Sequence, residues 1–516
     1  MSAIIVDVSS VTQIAALWPW LLAAVPLVYM LWNWLGPNGL HEVPTVGTTI
    51  PLLAYWSGLR YINNARETLL TGYAQYAHTP GLFKVAMTDQ WLVIVAGPKQ
   101  LEELRRMSDD EVSNYGGVDE LLSARFILGA DVVKNPYHMP LVHAKLTRNL
   151  GDFHGDMKDE MWSAFDDHIG MPDEWKSFPA LKTVMSVVSR TSNRVFVGLP
   201  LCRDPEFLDI ATAVTLDIAQ SRFVINLFPP VMKPLIAKFV NKVPSRLRKA
   251  YAKVGPMVEA RRRRAEECKA NKEEWDEKPN DFLMWLVDEA VEHGYTNEST
   301  VLYLLIMEFV ALHTAAMSFT HALFYLASDS SLVAPLRTEV EAVLAEESGD
   351  LGSRTAVRKL RYIDSFLRES QRINGTNATT VWRKTLKTIS FSSGVTIPPG
   401  VFLSAASTAT HLDEHHHSNP AVFDPWRFVS GDLHARSFVS TTPDFIAFGQ
   451  GRHACPGRHF AAYEMKLMLA YIVLYYDVKM RPGAEGVGVR PKNKWIGNSI
   501  IPDPTADVLF RKRVKA

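Results

Sequence analysis

The sequence predicts a mostly α-helical chain with small β-sheets, preceded by an N-terminal membrane anchor, and three observations carry that expectation. Stretches with helical periodicity dominate, the clearest being 297–327 and 460–474. Strand-like pieces are few and do not alternate with helices as βαβ units would. From Val8 to Leu40 no charged residue occurs.

The uncharged run comes first. At ~1.5 Å per residue its apolar heart, 14–32, reaches about 28 Å, close to the ~30 Å hydrocarbon layer of a bilayer. Trp18, Trp20, Tyr29, Trp32 and Trp34 gather toward its ends, where amphipathic rings favour the headgroup level. A cleaved signal peptide is the competing reading. It calls for a basic start, a shorter core and a small-x-small cleavage site, whereas the one early charge here is Asp7 and tryptophans follow the core. The expectation is a retained single-pass anchor over 1–36 and one folded domain over 37–516. Neither flank carries Lys or Arg before Arg60, so charge does not orient the anchor.

The domain behind it reads as ordinary packed protein. Of 516 residues 47% are hydrophobic, which excludes wholesale disorder, and no repeat or Gly/Ser-rich linker divides the chain. Lys plus Arg (55) equals Asp plus Glu (55), so no global field exists to hold a nucleic-acid backbone. Cys202, Cys268 and Cys455 cannot form a disulfide framework and show no C-x-x-C spacing, which fits a reducing compartment.

Along the domain, 82–87 and 91–96 flank Thr88-Asp89-Gln90 and read as a hairpin. A second strand region around 385–397 ends at Pro398-Pro399-Gly400, a turn signal. The basic stretch 246–272, centred on Arg261-Arg262-Arg263-Arg264, reads as a solvated helix face with nearby glutamates, the alternative being contact with anionic lipid or an acidic partner. Residues 411–417 hold four histidines, but neighbours in a loop do not converge on a metal as i, i+4 ligands do. Asn297, Asn374 and Asn377 open glycosylation-type triplets that are idle in the cytosol.

The decisive segment is Phe448-Gly449-Gln450-Gly451-Arg452-His453-Ala454-Cys455-Pro456-Gly457-Arg458. Its glycines allow a tight turn in which amide groups approach a sulfur, and a helix is expected over 459–474. Amide hydrogen bonds and the positive end of that helix favour a thiolate of low pKa. A lone sulfur of this kind suits a metal centre with one protein ligand; a buried free cysteine is the plainer reading of the same residues.

The segment resembles the heme-binding loop of cytochrome P-450 monooxygenases, F-x-x-G-x-x-x-C-x-G, at Phe448, Gly451, Cys455 and Gly457. Upstream, Glu369-Ser370-Gln371-Arg372 resembles the family's E-x-x-R. Leu360, Ile363, Phe366 and Leu367 form an apolar stripe there, and Glu369 and Arg372 share another face. Phe423-Asp424-Pro425-Trp426-Arg427-Phe428 is similar to the P-E-R-F stretch, which implies that Arg427 joins Glu369 and Arg372. The three motifs stand in the family's order, the similarity covers essentially the whole chain, and 41–47 is similar to the Pro/Gly hinge of fungal members.

The resemblance implies a P-450 fold, heme b (iron protoporphyrin IX) and Cys455 as its iron ligand. It implies that Phe448 and Gly449 line the cofactor, and that Arg383, His453 and, by looser alignment, Arg148 meet the propionates. In the long helix Glu308-Phe309-Val310-Ala311-Leu312-His313-Thr314-Ala315, Ala311 takes the small position of the family's oxygen-binding segment. Thr314 fills its threonine position as a donor to oxygen, and His313 replaces the usual acid. His313 either relays protons, with an unperturbed pKa of ~6.5, or packs against a neighbouring helix. The activity implied is insertion of one oxygen atom from O2 into a lipophilic substrate, with electrons from NADPH through a cytochrome reductase. The fungal resemblance points to a terpenoid, sterol or other secondary metabolite, and the polar stretch 374–380 hints at an oxygenated one. The location implied is the endoplasmic reticulum membrane with the domain in the cytosol. The alternative is a non-catalytic heme protein on the same fold, a sensor or ligand store.

Overall fold

The computed structural model describes residues 39–431, 436–482 and 488–514, together with 24, 25, 27 and 28. The anchor expected over 1–36 therefore lies almost wholly outside the described residues. Chain entry is through β1 (Thr45–Val46), helix α1 (Pro51–Tyr76) and the hairpin β2 (Leu82–Ala86) and β3 (Trp91–Val95). The hairpin falls where alternation and the Thr88-Asp89-Gln90 turn placed it, with Leu82 opposite Val95 and Ala86 opposite Trp91.

Two further strands follow, β4 (Val112–Ser113) and β5 (Lys176–Pro179), then a helical body: α2 (Ala180–Phe196), α3 (Pro205–Ile225), α4 (Lys233–Val240), α5 (Val243–Asn271), α6 (Phe282–His293), α7 (Asn297–Ser328) and α8 (Arg361–Ile373). The chain then returns to sheet at β6 (Thr380–Thr385) and β7 (Phe402–Ala405). After the cysteine loop come α9 (Arg458–Tyr475), β8 (Tyr476–Met480), β9 (Lys494–Ile496), β10 (Ser499–Ile501) and β11 (Asp507–Lys512). The largest sheet runs β1-β2-β3-β7-β6-β4; β8-β11-β5 makes a second sheet and β9-β10 a hairpin. The strand region expected around 385–397 is present: β6 ends at Thr385, and Ile389–Ser390 pairs antiparallel with Thr396–Ile397 just before Pro398-Pro399-Gly400, which leads into β7.

Helix α7 is the axle of the body. Thr296 caps it by accepting a hydrogen bond from the Ser299 amide, and α2, α3, α5, α6, α8 and α9 all pack on it. Its apolar residues face every direction, as burial on all sides requires. Among the described residues it is the one helix long and apolar enough to cross a membrane, and it is spent on the core. The basic stretch lies on α5 and its charges are answered locally: Arg261 by Asp281, Arg262 by Glu266, Arg264 by Glu267. The histidines of 411–417 also go separate ways. His411 is buried against the Arg372 carbonyl, His415 meets Asp413, and His417 meets the Asp444 carbonyl.

Candidate functional site

The cysteine loop is shaped by two left-handed glycines. Gly449 (φ +73°) and Gly451 (φ +67°) adopt conformations that L side chains rarely hold. A Cβ on Gly451 would also sit 2.8 Å from Cγ of Arg105. The reversal they allow lets the Cys455 amide donate to the Phe448 carbonyl at 2.7 Å, while Gly449 donates to Ile446 at 2.9 Å. Phe448 packs edge-on against Phe438, with ring centres 5.4 Å apart.

Helix α9 starts three residues after Cys455. The thiol keeps accessible area although it lies deep in the molecule; both hold when a side chain faces an internal slot. Burial pushes the Cys455 thiol up, against the amides of Gly457 and Arg458 and the Arg458 charge, which all pull it down. The lowered pKa expected from the loop and helix dipole is thus outweighed by desolvation. A cation in the slot is what would tip the balance to thiolate.

A second accessible face opens in the middle of α7. Val310 and Thr314, one helical turn apart, carry exposed area while the helix on either side is buried. Because helices surround α7, that face also opens inward. Thr314 Oγ1 donates to the Val310 carbonyl at 2.9 Å, leaving its lone pairs toward the opening. His313 turns aside: it hydrogen-bonds the Thr215 backbone of α3, and its Nε2 is buried without a partner. Burial lowers its pKa against that hydrogen bond, so the imidazole is neutral at pH 7. This is the packing geometry that sequence left open beside a relay.

Three cations were expected around the site. Arg383, on β6 beyond a register irregularity that follows Thr380, is buried. Its Nη1 donates to the Trp382 carbonyl at 2.8 Å, and no carboxylate pairs with it among the described residues. Burial pulls it down to about 10, with Asp109 acting the other way. His453 instead meets Asp109, Nε2 to Oδ1 at 2.6 Å, and Arg452 shares that carboxylate at 3.1 Å. Arg148 is exposed. Its segment is not a regular helix but a junction between a π turn at Val142–Leu146 and a 3-10 turn at Asn149–Phe153. The neighbouring Thr147 reaches the loop, donating to the Pro456 carbonyl at 3.4 Å.

A buried ion triad holds this region in register. Arg372 clasps Glu369, and Arg427 Nε joins the same carboxylate at 3.1 Å. Arg372 Nη1 also donates to the His411 carbonyl, His411 Nε2 accepts from the Ile446 amide at 3.0 Å, and Ile446 accepts from Thr380 Oγ1 at 2.9 Å. One chain of bonds thus runs from α8 to the root of the cysteine loop and to the strand that carries Arg383.

These residues fit an iron porphyrin. The cofactor requires a sulfur facing an inner slot, and Cys455 provides it. Its carboxylates require cations, and Arg383 is a buried guanidinium with donors to spare. Two charged residues escaped sequence reasoning. Glu308 on α7 is fully buried, bonded by Asn193 Nδ2 at 3.1 Å and pushed up to about 8 by burial. Arg222 on α3 shares a helix face with Thr215, Ile218 and Ile225, all buried. A lone charge on an apolar stripe was the signal that could have found it.

The family model described as Cytochrome P450 matches residues 44–509. The chain is 38% identical over 509 residues to "Cytochrome P450 monooxygenase 103" of Postia placenta, covering 96% of this chain and 100% of that one. It is 32% identical over 486 residues to "Cytochrome P450 monooxygenase CYP512U6" of Ganoderma lucidum, covering 92% of each. The solved structure titled "Retinoic acid bound cyanobacterial CYP120A1" has the same fold, with a TM-score of 0.65, 16% identity and coverage of 92% of this chain and 98% of that one.

Proposed function

The chain belongs to the cytochrome P450 family and is a monooxygenase; we propose that Cys455 holds heme b, and that the enzyme inserts one oxygen atom from O2 into a lipophilic fungal metabolite of terpenoid or sterol type. Bound there, the heme supplies dioxygen activation and attack on an unreactive C–H bond. The observation that carries the reading is a single sulfur facing an inner slot at the mouth of α9.

The remaining work falls to the protein's own groups. Arg383 neutralises a cofactor carboxylate, with Arg148 and His453 as further candidates at the slot edge and Phe448 and Gly449 packing beside it. Thr314 presents a hydroxyl to the opening. His313, neutral and tied to α3, holds the long helix against the helix above rather than carrying protons. Electrons come from NADPH through a cytochrome reductase docked on the surface.

Residues 1–36 anchor the enzyme to the endoplasmic reticulum membrane, and 37–516 form the heme-thiolate catalytic domain in the cytosol. Two exposed apolar groups support this placement. Ile50, Leu53 and Trp56 lie at the start of α1; Val231, Leu235 and Phe239 lie on or beside α4, with Phe239 81% exposed. Both flank the turn between β2 and β3. Lys233 pairs with Asp89 there at 2.6 Å, and Gly58 of α1 abuts the Met87 backbone. Exposed apolar side chains on two elements that meet the same turn suit contact with a bilayer surface.

The test is the reduced carbon-monoxide spectrum of protein purified after expression with a heme precursor. Wild type gives the thiolate band and Cys455→Ala does not; a variant that keeps the band overturns the assignment. With a fungal reductase, NADPH-dependent oxygenated product is the second readout.

A further inference from the structure

Arg222 sits in the last turn of α3, and among the described residues no acid pairs with it. Its side chain retains accessible area although it lies deep in the molecule, the same combination that marks Cys455 as facing an inner space. Among the described residues its side chain makes one hydrogen bond, Nη2 to Ser499 Oγ at 3.2 Å. Burial alone lowers its pKa, and no carboxylate pulls it back. A guanidinium so placed is costly unless an anion meets it.

The position of Arg222 says which anion. Thr215, seven residues earlier on the same face of α3, is the residue whose backbone holds His313. Two turns at ~1.5 Å per residue put Arg222 about 10 Å along α3 from the point that touches α7 beside Thr314. Polar groups surround the other end of the guanidinium. Ser499 bridges the Asn377 backbone, the Ile500 amide donates to the Thr376 carbonyl at 3.0 Å, and Asn377 Nδ2 donates to Thr376 Oγ1 at 3.2 Å. Ser499, accepting from Arg222, still has its own O–H to donate. A cation, a hydroxyl and a polar backbone edge gathered in one place, on a helix whose apolar face runs back toward its contact with α7 beside Thr314, suit a carboxylate on a hydrophobic body.

We propose that Arg222, with Ser499, binds the carboxylate of a lipophilic acid substrate whose apolar body extends toward Thr314. The inference rests on the monooxygenase reading. It makes Arg222 a specificity-determining residue and narrows the substrate class to acids such as long-chain or terpenoid carboxylic acids.

The experiment titrates the heme-loaded full-length protein with hexadecanoic acid, abietic acid and the methyl ester of each, following heat by calorimetry and the Soret shift. Wild type is expected to bind at least one acid about tenfold or more tighter than its ester, the scale of a desolvated charged hydrogen bond. Arg222→Gln abolishes that preference, Arg222→Lys keeps part of it, and Ser499→Ala weakens it. Equal binding of every acid and ester by wild type overturns the proposal, as does an undiminished preference in Arg222→Gln. If Arg222→Gln loses heme while a preference for acids persists, the guanidinium serves the cofactor, which also overturns it. The carbon-monoxide band separates the two readings. Its presence with no acid preference removes only the role of Arg222, whereas its absence from wild type removes the heme-thiolate assignment.

Discussion

Arg372 clasps Glu369 through two parallel bonds, Nε to Oε2 at 2.7 Å and Nη2 to Oε1 at 2.8 Å, with both side chains wholly shielded from solvent. The bidentate fork suits a planar guanidinium and no other side chain. The same carboxylate also accepts from Arg427 and from the Asp424 amide at 3.0 Å. It is the knot between α8 and the chain that leads to the cysteine loop.

Cutting that knot leaves a buried charge without a mate. Arg372→Ala is expected to cost about 3–5 kcal/mol of stability. The urea midpoint and the yield of heme-loaded protein measure it. Arg372→Lys recovers only part, because an ammonium cannot span both oxygens. A variant with wild-type midpoint and heme content would remove the structural role given to the pair.

Glu308 gives a pH signature. In the unfolded chain it titrates near 4.5, and in the folded protein near 8, because burial disfavours its charge more than Asn193 supports it. Between those values the folded form keeps a proton that the unfolded form has lost, so stability falls as pH rises from about 4.5 to about 8 and is level outside that window. Glu464, held by Ser192 at 3.0 Å and raised to the same value, adds to the slope. Glu308→Gln should therefore gain on wild type between about pH 5 and pH 8, by a few kcal/mol at most. Parallel urea midpoints at the two pH values would contradict the assignment.

Thr314 faces the opening with its hydrogen on the Val310 carbonyl. Thr314→Ala should keep the carbon-monoxide band, since nothing in the cysteine loop depends on it. Product formed per NADPH should drop several-fold, with hydrogen peroxide rising to match. Peroxide and product assays on one reaction give the ratio, and an unchanged ratio removes the hydroxyl from proton handling.

Local rules made much of the fold legible. The hairpin at 82–96 and the helices at 297–328 and 458–475 follow from periodicity, turn residues and caps, all properties of neighbours in sequence. The three-residue spacing of Glu369 and Arg372 likewise placed them on one helical face, since that separation is fixed by helix geometry. The loop glycines were readable for the same reason: a tight reversal needs φ values that they alone tolerate.

Tertiary structure decided what depends on burial. The helix end behind Cys455 argues for thiolate, yet the depth of the sulfur argues harder for thiol. His453 is where the loop motif puts it, but which carboxylate it meets was set by the segment carrying Asp109, far away in sequence. His313 has the type and position of a relay, and which groups its ring meets was set by the approach of α3, whose Thr215 backbone it hydrogen-bonds. Arg222 reads as an ordinary helix charge until α3 lies across the body and Ser499 arrives from the last hairpin. Desolvation and long-range pairing are sums over the whole packed chain. Sequence therefore named the chemistry available to this protein, and packing chose which groups stay charged, which stay neutral and which face the open space.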